Sequence, residues 1–596
     1  MLPFLFPFYR PSLAESGRGW LLVLLMKNKS LFHTALSLAS YFFSVSLDEQ
    51  MHGADGADQS QAQAQGKQTT LTPCQEANWL HLQTQTDLAI RQLHSDMRAL
   101  NARGGVPATP LMDAARCLES IIQLLQFEAA VAASPARVGG GGGGVVASAT
   151  PGNWPLHLDA ATALFAQLVE HHASTAEAAQ TVAALREARS SRDAGAPALG
   201  PWTTVLWRMC DPLQMTVLER DPMASPVARR GVPRQRLPWS SDQSAFRFYT
   251  AYLVSADVVA STATGEAPRL QAFHAEILGR EHDEHGLGPG MGGEGEAGED
   301  PPQLPLEEFV GCQSWAIRLL GEVAALAAWK RAQRASGVFC PSDLLQRASC
   351  LEARLARGIA RLEAEYPYCS GAGDPPGRGV RVNDGPGCRG GPAAGYRHQP
   401  WGGGGGFGLR SGAGDVIGGA GAAVLAALHT RVWAQAALTY LRVVTYGFRP
   451  DGGGDGAPDN GIAASVEATL PLLRRALVLN GAGGGEGEGG DGLRTLAWPF
   501  AITGCCLPRE VAVSPVQEEG PGPGRGNDDG QSRSCGQTLF ESAVAGMGGM
   551  RVFGTLAEAL GVVRRVWELR AAGRLDPETW DIAACLGVLG HRVLLV

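Results

Sequence analysis

Residues 28–46 read NKSLFHTALSLASYFFSVS, and the reading of this stretch decides the fold. Leu31, Ala35, Leu38, Phe42 and Val45 fall at steps of 4, 3, 4 and 3, which sets them on one face of an α-helix. His33, Ser37, Ser40 and Ser44 step 4, 3 and 4 along another face. Ser30, just before the first apolar residue, is placed to cap the orphan N–H groups of the first turn. A transmembrane helix needs about 20 unbroken apolar residues. Here hydroxyls run through the stretch, and the apolar run before it, Trp20 to Met26, is short. A secretory signal fits no better, because Pro7, Pro11, Arg10, Glu15 and Arg18 interrupt the start of the chain. A face of small hydroxyls rather than charges suits contact with another helix. The stretch therefore reads as a helix buried inside a bundle.

The same periodicity extends along the chain. Helices are predicted over Trp79–Leu100, Leu111–Ala133, Trp154–His172, Ala176–Arg189, Phe246–Ala263, Glu307–Ala335, Pro341–Glu365 and Ala422–Tyr446. The segment Ser190–Ser241, rich in proline and arginine, reads as irregular. Near the end, Leu556, Leu560, Val563 and Trp567 step 4, 3, 4, and Gly573 is placed to stop that helix. Asp576 reads as an N-cap with Pro577 at the first helical position, and Ile582, Leu586, Leu589, Val593 and Val596 continue at helical spacing. These two helices are expected to face a shared core. No sustained strand alternation with hairpin turns appears. The fold class is thus all-α, a large irregular multi-helix domain over residues 1–596 with long Gly/Pro-rich disordered inserts. The inserts are expected at 134–153, 286–303, 370–416, 481–492 and 511–536, where runs such as Gly139–Gly144 resist ordering.

The 596 residues carry a net charge of −8 and 45% hydrophobic side chains, enough for a sizeable core and unsuited to a general nucleic-acid surface. Twelve cysteines are scattered with no C-x-x-C pair, so reduced, mostly buried thiols and an intracellular location are expected.

Candidate chemistry is sparse. His282 and His285, three apart, with His274 upstream, could share a metal, yet the order H-E-x-x-H of a zinc protease is missing. Gly412 and Gly414 suggest a phosphate-binding turn, but Ile417 stands where the third glycine belongs. The chain has neither a Walker A sequence nor a G-x-S-x-G elbow. His171–His172 reads as a surface pair at a helix end, and Cys505–Cys506 as packing residues. No residue is assigned a catalytic, cofactor-binding or metal-ligating role.

Five stretches, in order, resemble the fungal-specific transcription factor domain, the helical regulatory region of Zn2Cys6 binuclear-cluster regulators. They are FPFYRPSLAESGRGWLLVLLMKNKSLFHTALSLASYFFS, FRFYTAYLVSADVVASTATGEAPRL, LEEFVGCQSWAIRLLGEVAALAAWKRAQ, LAWPFAITGCCLPRE and VVRRVWELRAAGRLDPETWDIAACLGVLGHRVLLV. The resemblance implies control of transcription by RNA polymerase II in the nucleus, through effector binding or dimerisation, with a second copy or other regulators as partners and no membrane. It implies no enzymatic activity. The family's six-cysteine module is not found: the nearest approach, Cys340 to Cys388, holds four cysteines at the wrong spacing. DNA is therefore expected to be reached only indirectly or through an N-terminal module missing from this chain, either a truncated gene product or a paralogue that regulates without touching DNA. Two alternatives stand beside this reading: a helical interaction scaffold without a transcriptional role, and a metal-dependent α-helical enzyme using His274, His282 and His285.

Overall fold

Asn28 divides the opening stretch into two helices, α1 (Gly19–Lys27) and α2 (Lys29–Gly53). Its side-chain Oδ1 accepts from Leu31 N at 3.1 Å and so caps α2. This corrects the role expected for Ser30, which lies inside the helix and donates instead to Ala89 O at 3.1 Å. Ala89 belongs to α3 (Pro73–Ala102). The hydroxyl face of α2 lies against α3, as anticipated: Thr86 donates to Ser37 Oγ at 3.2 Å, and Ser40 and His81 are 2.7 Å apart. The residue numbers rise along α2 as they fall along α3, so the pair is antiparallel. Small hydroxyls serve here because they let the backbones approach while still satisfying one another.

These are coordinates of a computed structural model, which describes residues 8–9, 19–53, 73–131, 153–190, 199–210, 239–279, 304–367, 415–450, 461–481, 491–508, 535–545, 555–576 and 579–595. Among them are eighteen α-helices and no strand. After α3 come α4 (Leu111–Val131), α5 (Trp154–Ala173), α6 (Ala176–Ser190), α7 (Pro201–Arg208), α8 (Ser241–Thr264) and α9 (Gln271–Ile277). Then follow α10 (Glu307–Val310), α11 (Ser314–Ala335), α12 (Pro341–Glu365), α13 (Asp415–Tyr446) and α14 (Ile462–Gly481). The last four are α15 (Ala497–Cys505), α16 (Cys535–Ala545), α17 (Leu556–Ala571) and α18 (Ile582–Leu586).

Helix α8 is the post around which the others gather. It packs against α1, α4, α5, α7, α10, α11 and α18. Its sequence explains the position: Ala, Ser, Thr and Val occupy most of its second half, so neighbours approach on every side. Ser240 and Gln243 close a capping box at its start, and Gly265, at φ 74°, ends it in the left-handed conformation that glycine adopts freely. Beyond α8, helices α11, α12 and α13 pack on one another. Glu363–Arg431 at 2.5 Å and Glu352–Arg442 at 3.2 Å tie α12 to α13 in antiparallel register. Buried side chains of all these helices join in one continuous hydrophobic cluster.

Several sequence expectations need correction. The helix predicted over Glu307–Ala335 is two, because Gly311 takes φ 73° between α10 and α11. The irregular segment Ser190–Ser241 contains α7, whose Trp202, Val205 and Leu206 are buried. The final helix is only Ile582–Leu586, capped by Asp581 through Ala584 N at 2.9 Å. Gly587 and Gly590 follow, the latter at φ 85°, and the chain runs on without helix through Val593. Leu560, Leu586 and Val593 are buried as expected, while Leu589 is half-buried. Trp567 is partly buried against the same cluster and donates to Gly504 O at 2.8 Å. The expected inserts at 134–153, 286–303, 370–416, 481–492 and 511–536 lie outside the described residues except at their edges. There, Asn153 precedes α5, residues 415–416 open α13, Gly481 closes α14, residues 491–492 begin a 3-10 helix and residues 535–536 open α16. No described helix is long and apolar enough to cross a membrane.

Candidate functional site

The five sequence stretches that carry the family resemblance meet in space. Tyr9 and Trp20 come from the first, Phe248 from the second and Phe309 from the third. Tyr9 stacks on Phe309 with centroids 5.2 Å apart and accepts a 2.7 Å hydrogen bond from Trp20 Nε1. Phe248 lies 5.5 Å from Trp20 and 6.2 Å from Phe309. Trp498, from the fourth stretch, stacks on Trp433 at 5.3 Å and donates to Thr262 Oγ1 of α8 at 2.9 Å. The fifth joins the fourth through Trp567 and through Arg570, whose Nη1 donates to Leu507 O at 2.6 Å. Tryptophan serves such junctions well, since it brings a large apolar body and one N–H that must find a partner.

A second, polar centre lies where α1 gives way to α2. Asn28 Nδ2 donates to Arg116 O at 3.0 Å and to Ser120 Oγ at 2.9 Å, and Tyr249 OH donates to Gln123 Oε1 at 3.0 Å. Arg116, Glu119, Ser120, Gln123 and Gln126 form one stripe of α4, spaced so that each turn contributes. Glu119 is 2% exposed and its Oε2 has no partner. Burial, with Asp242 nearby, pushes its carboxyl up to about 8 from the usual 4.5, against the opposing pull of Arg116, Lys27 and Asn28. Between these two pH values the folded chain keeps a proton that the unfolded chain releases. The contribution of Glu119 to stability is thus fully present below about pH 4.5 and is lost as pH rises towards 8. A Glu119→Gln chain is expected to lose that slope, worth about 1.4 kcal/mol for each pH step between the two values, and to be the more stable of the two at pH 8. Urea midpoints measured at pH 5 and pH 8 check this; equal slopes for both chains would contradict it.

The sequence-derived candidates fare differently. His282 and His285 lie outside the described residues, as do Gly412 and Gly414, while Ile417 belongs to α13. His274 is buried, with neither ring nitrogen hydrogen-bonded, and burial lowers it to about 4. His172 is buried, not on the surface as expected, because the end of α5 tucks against α7: Arg208 donates to its carbonyl at 2.6 Å. Cys505 and Cys506 are free, fully buried thiols, and burial pushes Cys506 and neighbouring Cys585 well up, so neither presents a thiolate at neutral pH. Among the described residues no three His, Cys, Asp or Glu side chains come together as a metal site. An apolar cleft beside Leu473, Leu477, Leu496, Phe500, Phe540 and Leu556 has a cavity volume of about 10 Å³, room for little more than one water. The Asn28–Glu119 centre was missed in the sequence, although Glu119, set between Leu118 and Ile121–Ile122 of α4, was its signal.

Comparison with known proteins agrees with the shared core. Residues 1–596 match the fungal specific transcription factor domain. The chain is 28% identical over 600 residues to "Transcription factor dibT" of Pestalotiopsis microspora, covering 100% of this chain and 69% of that one. It is 24% identical over 334 residues to "Pestheic acid cluster transcriptional regulator 3" of Pestalotiopsis fici, covering 56% of this chain and 41% of that one. No solved structure matches. A match that runs the full length shows that the chain belongs to the fungal-specific transcription factor domain family.

Proposed function

We propose that this chain is the regulatory helical region of a nuclear transcription factor serving RNA polymerase II, and that it is not an enzyme. The full-length family match is the observation that carries this reading. Both relatives are named as transcription regulators, which supports the role. Partners are a second copy or other transcription regulators. DNA is reached through such a partner or through sequence beyond these residues, since specific DNA binding needs basic side chains delivered to phosphates and base edges, and this chain is acidic.

The test is a gel shift with the purified chain at moderate salt, together with a zinc assay. Moderate salt removes weak, charge-driven association. The expected result is no sequence-selective shift and less than stoichiometric zinc. Tight, sequence-selective binding would place the recognition surface inside this chain and overturn the reading.

A further inference from the structure

Phe8 occupies a slot that is built for a ring. The slot's floor is His429, fully buried on α13, whose ring centroid lies 4.9 Å from that of Phe8, edge to face at 67°. Its wall is Gly311. A Cβ on that residue would come within 2.5 Å of three carbons of the Phe8 ring, and φ 73° already favours glycine there. His429 Nδ1 lies 3.1 Å from Thr495 Oγ1, while Nε2 is buried with no hydrogen-bond partner. A buried imidazole nitrogen left unpaired carries a standing cost of desolvation. Phe8, having only carbon in its ring, offers it no conventional hydrogen-bond partner and at most a weak contact with its π face. Phe8 is also only half-buried, unlike its neighbour Tyr9.

From the absent Cβ and the unpaired nitrogen together, we infer that the slot beneath Phe8 is a binding site for a phenolic ligand, filled by the chain's own Phe8 when that ligand is absent. The ring of the ligand replaces the Phe8 ring against Gly311, and its hydroxyl donates to His429 Nε2. With Nε2 accepting, Nδ1 carries the proton and donates to Thr495 Oγ1, so each group keeps a partner. The binding stands on this geometry alone. Its use as an effector site rests on the regulatory reading, and a binding assay separates the two.

The probe is p-cresol, with toluene as the ring without a hydroxyl, titrated calorimetrically into the full chain. Phe8→Ala removes the competing ring, so it is expected to bind p-cresol about tenfold or more tightly than the wild type. In Phe8→Ala, p-cresol is expected to bind about tenfold more tightly than toluene, the worth of one buried hydrogen bond. Adding His429→Leu should erase that preference. Absence of p-cresol binding to Phe8→Ala, or a preference over toluene that survives His429→Leu, overturns the proposal. A wild-type arm needs no variant to fold: in the ¹⁵N-histidine spectrum, the His429 Nε2 signal should shift at saturating p-cresol, and an unmoved signal overturns the proposal equally.

Discussion

A Trp498→Ala chain is expected to lose about 3–5 kcal/mol of stability, the range for a large aromatic cut from a closed core. Trp498 is fully buried. Its ring stacks on Trp433 of α13 and lies 6.3 Å from Tyr440, edge to face. Its N–H ends on Thr262 of α8. One side chain thus joins α15 to both α13 and α8. Truncation opens a cavity between three helices whose backbones are fixed by other contacts, so collapse into the gap is limited. Trp498→Phe keeps most of the apolar volume and loses the N–H, and is expected to cost about 1–2 kcal/mol. Urea unfolding followed by circular dichroism reads both values. A midpoint for Trp498→Ala equal to that of the wild type would mean the junction is not closed.

Asn28→Ala comes next, at about 2–4 kcal/mol. The cap accounts for about 1 kcal/mol of this, and the rest follows from losing the two hydrogen bonds that Asn28 Nδ2 donates to Ser120 Oγ and the Arg116 carbonyl, which then keep only their bond to each other at 2.9 Å. Asn28→Asp separates the two contributions. Aspartate caps a helix as well as asparagine does, but it cannot donate to Arg116 O, and it brings a carboxylate up to Glu119. If the buried centre matters, Asn28→Asp is at least as damaging as Asn28→Ala. If only the cap matters, Asn28→Asp is close to wild type, and the role given to the centre fails.

Much of the helical framework was legible in the sequence because apolar side chains recur at helical spacing, on one face in α12 and nearly all round in α8. Helix α12 buries Leu344, Leu351, Leu355, Ile359 and Leu362 and matches its predicted bounds of Pro341–Glu365. Two predicted helices ran too long where glycine changed the backbone. Gly311 and Gly590 each take positive φ inside a stretch whose side chains kept helical spacing, so the periodicity ran on through a break in the backbone. The centre at Asn28 was hidden for another reason. Capping propensity favours serine and asparagine alike, and only the approach of α4, distant in sequence, makes Asn28 the residue that fits. The junctions among Tyr9, Trp20, Phe248 and Phe309 depend on non-local packing and have no signature in any one stretch. What linked those stretches beforehand was the family resemblance, not their local chemistry.

The central claim is that α8 is the shared post of one core, to which the helices before and after it are bound. Native-state hydrogen exchange on the full chain tests this most directly, because it reports the opening free energy of each segment. Amides of Phe246–Ala263 in α8 are expected to be among the slowest, and with added denaturant to merge with those of α13 and α15 into a single global opening. Exchange of α8 well ahead of α13 and α15, or separate openings for the helices on either side of it, would contradict the claim.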